Sequence, residues 1–269
     1  MSAKAATKRL DELVVERGLA ETRTRAQAVI MAGTVTVDGQ VATKAGKQVP
    51  VDAPIELVHQ PVPYVSRGGL KLDHALQSFG MSVSGQVTVD VGASTGGFTD
   101  VLLEGGAKRV YAIDVGYGQL AWKLRNDERV VVMERTNIRH VEDLPEPIDL
   151  AVVDASFISL RLILPALAHL VRQGGEVVAL IKPQFEAGKE LVGKHGVVRN
   201  PSVWRQVLAD VLRYSATNGW SVLDLTTSPI RGPAGNVEFL VRLSLSERGT
   251  DISDDRLAEL IDGALPGPG

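Results

Sequence analysis

The sequence predicts an α/β chain: a mostly parallel seven-stranded sheet wrapped by helices, preceded by a small α+β module. Three observations predict it. From Val87 onward, apolar runs of strand length alternate with helix-length amphipathic stretches, the pattern of strands joined by crossover helices. Before residue 60 that alternation is absent, and two short helical segments lead into period-two strands. Between the regions lies Gln60-Pro61-Val62-Pro63-Tyr64, whose prolines suit a connector better than a core element.

In the small module, Arg9–Gly18 reads as a helix with Leu10, Leu13 and Val14 on one side. Thr22 or Thr24 can cap a second helix running to Ile30-Met31, and Gly33 ends it. Thr34–Gly39 alternates into a strand that closes on an Asp-Gly turn. Ile55–Val58 is a further strand, and the unit closes near His59. The expected organisation is a module over 1–59, a linker over 60–65, a large domain over 66–246 and an acidic, flexible tail over 247–269.

In the large domain, Leu70–Phe79 is helical and Gly80 stops it. Strands are expected at Val87–Val91, Arg109–Val115, Val130–Met133, Ile148–Val153, Val177–Ile181, Ser221–Thr226 and Val237–Leu243. Helices fit Phe98–Leu103, Gln119–Arg125, Leu160–Val171 and Ser202–Thr217. No helix separates the last two strands, so the final strand should run antiparallel. This is a Rossmann-like arrangement. Leu257–Ile261 suits one short helix, with no core visible around it.

Composition narrows the possible functions. There is no cysteine, which removes disulfides, thiolate metal sites and cysteine nucleophiles. No apolar run approaches the roughly 18 residues of a membrane span, and no signal-peptide core follows Met1. A cytoplasmic protein is expected. Net charge is −3 but unevenly spread, because residues 1–71 hold ten Lys/Arg against seven Asp/Glu. A local basic face is what RNA binding requires.

The first strand of the large domain runs into Asp90-Val91-Gly92-Ala93-Ser94-Thr95-Gly96-Gly97-Phe98. A glycine-rich strand-to-helix turn lets a ligand approach the backbone at the carboxyl edge of the sheet. The spacing is not the pyrophosphate fingerprint, and Asp90 ahead of the loop would repel a pyrophosphate while suiting a cationic amino-acid group. Asp114 is placed to accept hydrogen bonds from ribose hydroxyls. Asp90, Asp114 and Asp154 each close a strand; a glycine turn serving packing alone would not need them.

These residues resemble the motifs of class I S-adenosylmethionine methyltransferases. The resemblance implies that Asp90, Gly92, Ala93, Ser94, Thr95, Gly96, Gly97 and Phe98 hold the methionine part of that cofactor. It places Asp114 and Val115 at the ribose, Thr136 and Asn137 near the adenine, and Asp154 at the reacting end.

The kind of methylation follows partly by exclusion. Base-carbon methylation through a covalent adduct needs a cysteine. Amino-nitrogen methylation usually shows an Asn/Asp-Pro-Pro-aromatic tetrapeptide after the fourth strand, where this chain has Asp154-Ala155-Ser156-Phe157. The order Lys71, Asp154, Lys182, Glu238 resembles the catalytic tetrad of ribose 2′-O-methyltransferases. A 2′-hydroxyl is a poor nucleophile and a very weak acid, so a positioned base must help remove its proton. Lys182 is the expected base. Its neutral form would be favoured by burial and by Lys71, with Asp154 and Glu238 fixing orientation.

One further set of motifs spans about residues 8–245. It comprises Arg9-Leu10-Asp11, Gly18-Leu19, Thr24-Arg25, Gly33 with Val35-x-Val37-Asp38-Gly39, and Lys44, then Val65-Ser66-Arg67-Gly68-Gly69, Asp114–Leu120 and Lys182-Pro183-Gln184-Phe185-Glu186. With these the chain resembles the TlyA family, an S4-like RNA-binding domain joined to an FtsJ-like methyltransferase domain and also known as haemolysins. The resemblance implies cytidine 2′-O-methylation of ribosomal RNA, 16S, 23S or both, and susceptibility to capreomycin-type and viomycin-type antibiotics. It implies ribosomal subunits as partners and no metal. Arg9, Arg23, Arg25 and Lys44 are candidate phosphate contacts, with Arg67 and Arg139 extending that surface from the large domain. Two other readings compete. A membrane-active haemolysin would need an amphipathic or long apolar segment. A non-catalytic RNA-binding factor would have no use for the Lys-Asp-Lys-Glu set.

Overall fold

A computed structural model describes residues 6–31, 33–57, 63–245 and 252–265. The chain divides into two compact units, Met1–Arg67 and Gly68–Gly269. Residues 60–62 of the expected linker, and Val58 and His59, lie outside the described residues.

The first unit holds β1 (Thr7–Arg9), α1 (Leu10–Glu16), α2 (Arg23–Met31), β2 (Val35–Val37), β3 (Gln40–Ala42), β4 (Gln48–Pro50) and β5 (Ile55–Leu57). Thr22 caps α2, its Oγ1 accepting from the Arg25 amide at 3.1 Å. Asp38 and Gly39 both have positive φ, 52° and 72°, the paired left-handed geometry of a two-residue hairpin turn. β2 accordingly pairs antiparallel with β3 and, on its other side, with β5. Leu10, Leu13, Val14, Ala26, Ile30, Val35 and Val49 form the core. β1, β3 and β4, three residues each, were not expected.

The second unit opens with α3 (Gly69–Ser78) and continues through β6 (Val87–Val91), α4 (Gly97–Glu104), β7 (Arg109–Asp114), α5 (Trp122–Arg125), β8 (Val130–Glu134) and β9 (Ile148–Val153). It is completed by α6 (Leu164–Leu170), β10 (Val171–Ile181), α7 (Pro183–Glu186), α8 (Pro201–Thr217), β11 (Ser221–Thr227), β12 (Phe239–Ser244) and α9 (Asp254–Ala264). The sheet order is β11-β12-β10-β9-β6-β7-β8. β12 is antiparallel to both β10 and β11, and the β10-β9-β6-β7-β8 ladders are parallel. Chain order reverses between β6 and β9, so their carboxyl ends flank the crevice where open α/β sheets bind ligands.

Three expected elements differ. The helix expected from Gln119 begins only at Trp122, because the Ala121 amide donates to Thr95 O at 3.1 Å and holds that segment extended. β10 starts at Val171, where a helix end was expected, and its register to β9 shifts between Val171 and Glu176. The tail expected to be flexible holds the short helix expected at Leu257–Ile261, but as the longer α9, whose Leu257, Leu260, Ile261 and Ala264 are buried in the main core. Burying a leucine or isoleucine is worth roughly 1.5–3 kcal/mol, enough to hold this acidic helix in place. Residues 246–251 and 266–269 lie outside the described residues.

Candidate active site

The crevice begins with two strand ends that nearly touch. The Asp154 amide donates to Val91 O at 2.9 Å, which ties the end of β9 to the end of β6. Gly92 follows with φ +86°, and a Cβ there would stand 2.7 Å from Asp154 O. Only glycine fits both the angle and the approach. Gly96 (φ +99°) closes the turn, where a Cβ would meet Leu124 Cδ1 at 2.2 Å. Ser94, at φ 48°, is a non-glycine residue in the left-handed region within the same loop.

Two carboxylates hold this loop. Asp114 Oδ2 accepts from the Ser94 amide at 2.8 Å, and its Oδ1 accepts from the Gly116 amide at 2.6 Å. Each oxygen keeps further lone-pair capacity, so ribose hydroxyls can bond there without displacing the loop. Asp90 is placed differently. Its Oδ2 accepts from the Thr99 amide at 2.9 Å and from Thr99 Oγ1 at 2.7 Å, which fixes the first turn of α4. Asp90 is completely buried, and Oδ1 has no hydrogen-bond partner among the described residues. That burial pushes its carboxyl up to about 7, against the opposing bonds from Thr99. The orphaned oxygen and the glycine cradle fit a ligand with a cationic head.

The other expected cofactor residues lie around the same edge. Ala93, Gly97 and Phe98 are buried, whereas Val115 is exposed after β7. The Thr136 amide donates to Asp114 O at 2.9 Å, bringing the β8 end to the β7 end. Asn137 caps the turn after it, with Oδ1 accepting from the Arg139 amide at 3.1 Å. Gln119, not singled out from the sequence, accepts from Ser94 Oγ at 3.2 Å.

Four charged side chains from distant parts of the chain converge past Asp154. Lys71 Nζ donates to Glu238 Oε2 at 2.6 Å and lies 3.7 Å from Asp154 Oδ2. Lys182 Nζ is 2.6 Å from Asp154 Oδ1 and donates to Ser156 Oγ at 3.0 Å. Lys71 and Lys182 are 6% exposed and Glu238 2%. Lysine and glutamate are almost never buried unless paired, and here two cations meet two anions. Lys182 stands between the end of β10 and Pro183, as its sequence position implied. Glu238, expected inside the last strand, sits just before β12.

Sequence reasoning missed the neighbours of Lys182. Phe157 has φ 64° and is 91% exposed, and its ring stacks obliquely on Phe185 with centroids 5.1 Å apart. Lys182 Nζ lies 5.9 Å from the Phe185 ring. Glu186 Oε2 accepts from Ser159 Oγ at 2.6 Å and Oε1 from the Leu160 amide at 2.7 Å. This clamps the loop after β9 to α7. A positive φ on an exposed phenylalanine has no sequence signal.

In the first unit the expected basic residues separate into two kinds. Arg9 donates to both oxygens of buried Asp11, at 2.9 and 2.8 Å, and Arg23 Nε donates to Oδ2 at 3.0 Å. Gln27 adds a fourth bond at 2.9 Å. The Arg9 pairing holds Asp11 well below the usual carboxylate range. Arg25 and Lys44 are exposed. Arg67, expected in the large domain, falls in the first unit, where a Cβ on Gly33 would stand 2.3 Å from its Nη1. Arg139 is exposed after β8. Among the described residues no helix is long and apolar enough to cross a membrane, and no group of three or more His, Asp or Glu could hold a metal.

Known proteins share this arrangement. Residues 64–245 match the FtsJ-like methyltransferase family, and residues 8–55 match the S4 domain. YqxC of Bacillus subtilis, named as a candidate rRNA methyltransferase, is 49% identical over 95% of this chain and 93% of its own. The 16S/23S rRNA (cytidine-2′-O)-methyltransferase TlyA of Mycobacterium tuberculosis is 46% identical over 87% of this chain and 89% of its own. A solved structure named for a candidate hemolysin of Streptococcus thermophilus is 45% identical, with a TM-score of 0.77 over 97% of this chain and 96% of that one. The chain therefore belongs to the FtsJ-like methyltransferase family, in its TlyA branch, with an S4 domain at the amino end and S-adenosylmethionine as cofactor.

Proposed function

We propose that the chain transfers a methyl group from S-adenosylmethionine to the ribose 2′-hydroxyl of cytidine in ribosomal RNA. The observation that carries the reaction type is the buried Lys71–Glu238 pair joined through half-buried Asp154 to buried Lys182 at the carboxyl edge of β9 and β10. The cytidine and the ribosomal RNA come from the relative in Mycobacterium tuberculosis, whose name specifies both.

When bound, the cofactor supplies an electrophilic methyl on a sulfonium centre. The loop Gly92–Gly96 and Asp114 would hold it, with Asp90 behind the loop. Lys182 takes the proton from the 2′-hydroxyl. Asp154 orients Lys182 and keeps Lys71 at the same carboxylate, while Glu238 balances the charge of Lys71. Exposed Phe157, paired with half-buried Phe185 beside Lys182, offers a face on which an unstacked base can rest. Arg25, Lys44 and the Asp11-anchored Arg9 and Arg23 supply phosphate contacts from the S4 domain.

The test is transfer of labelled methyl to unmodified small and large ribosomal subunits, assayed separately, with Lys182→Ala beside the native protein. Label on either subunit, lost in the variant, supports the reading and identifies the subunit. Cofactor binding with no transfer to either would support a binding factor instead. The expected susceptibility to capreomycin-type and viomycin-type antibiotics is checked by comparing drug sensitivity of cells with and without the active protein.

A further inference from the structure

We propose that Ser156 is the proton outlet of the site, the hydroxyl through which Lys182 returns to its proton-accepting form. The inference rests on the reading of Lys182 as the base. Lys182 is 6% exposed, and among the described residues its Nζ has two polar partners, Asp154 Oδ1 at 2.6 Å and Ser156 Oγ at 3.0 Å. Lys71 and Glu238 meet one another at 2.6 Å, and Lys71 shares the Asp154 carboxylate with Lys182. Phe185 presents a ring at 5.9 Å, which offers no route for a proton. Of these groups Ser156 is the exposed one, while Asp154 is half-buried.

Chemistry requires an exit. Each methylation breaks one O2′–H bond and replaces that hydrogen with the methyl carbon, so one proton is left per turnover. It passes to the lone pair of Lys182 Nζ. The resulting ammonium donates to Ser156 Oγ, and the serine hydroxyl gives its own proton to water. Asp154 is a poorer outlet because both ammonium groups hold it. A hydroxyl both accepts and donates, which is what a relay needs. Ser156 acts through Lys182, so it is a positioning residue and needs no contact with the reacting atoms.

Two measurements test this. The first is solvent exchange of the Lys182 Nζ protons, followed by ¹⁵N-lysine NMR on the full chain without cofactor or RNA. Exchange should slow several-fold in Ser156→Ala and recover in Ser156→Thr. The second is turnover at low and high concentrations of a small diffusible buffer such as imidazole. Ser156→Ala should lose about ten-fold in kcat, less than the ~10²–10⁴ of a directly acting group, and regain it at high buffer while native turnover stays constant. Unchanged or faster exchange in Ser156→Ala would overturn the relay, as would a buffer-insensitive defect shared by the alanine and threonine variants. Full activity in Lys182→Ala would instead overturn the base assignment on which the relay stands.

Discussion

Lys71 Nζ donates to Glu238 Oε2 at 2.6 Å, although the two residues are 167 positions apart in the chain. Both are buried, and without Glu238 the Lys71 ammonium keeps only the longer contact to Asp154 at 3.7 Å. Glu238→Ala should therefore destabilise the protein by about 3–5 kcal/mol. Replacing the pair together, as Lys71→Met with Glu238→Leu, should restore much of that loss while leaving methyl transfer abolished. Urea melts of the three variants check the stability, and labelled-methyl transfer checks the activity. Recovery of activity with stability in the double variant would show that the pair serves the fold alone.

Asp90 predicts a pH-dependent cost. Its carboxyl titrates near 7 in the fold against an ordinary value of 3.8, so the folded protein binds the extra proton and stability falls as pH rises from about 4 to about 7. Asp90→Asn removes that cost while retaining an acceptor for Thr99. Its Tm should exceed the native value at pH 8, by the equivalent of a few kcal/mol, and converge with it below about pH 4. A gap of constant size across that range would contradict the assignment.

Asp11 has the opposite sign. Its carboxyl is held below the usual range by Arg9, then by Gln27 and Arg23, so its contribution is present above its ordinary value near 3.8 and lost as pH falls further. Asp11→Asn should melt earlier at pH 7 and show a flatter acid limb. Without the anchor, Arg9 and Arg23 must be ordered by the RNA itself, so RNA affinity should fall with kcat at saturating RNA unchanged. Arg25→Ala, at an exposed position, should instead reduce the slope of log affinity against log salt by about 1.

Helix α9 packs Leu257, Leu260, Ile261 and Ala264 into the catalytic core, and Arg231 Nη2 donates to Ala264 O at 3.3 Å. Arg231 sits in the segment leading to Glu238. Deleting residues 252–269 should lower Tm by several degrees and reduce turnover together. A truncated protein with native Tm would contradict the packing.

Much of this was legible in the sequence where the signal is local. The alternation from Val87 marked the sheet, the glycines at 92 and 96 marked the tight strand-to-helix turn, and Lys182 was marked by its place between an apolar strand and a proline. What was hidden is the convergence of side chains. Asp90 precedes the loop in sequence but turns beneath it to Thr99. Arg67 sits among catalytic-domain motifs but lies over Gly33. Ser156 and Phe157 acquire their places from a loop that Glu186 clamps. For α9 the helix was legible over Leu257–Ile261, but its burial was not, because the core it packs against comes from distant parts of the chain.

The most direct test of the account is the identity of the methylated nucleoside. Ribosomal RNA labelled by the protein would be digested to nucleosides and resolved by mass spectrometry, with Lys182→Ala as control. The label is expected in 2′-O-methylcytidine and is lost in the variant. Label on a base, or 2′-O-methyl label that survives Lys182→Ala, would contradict it.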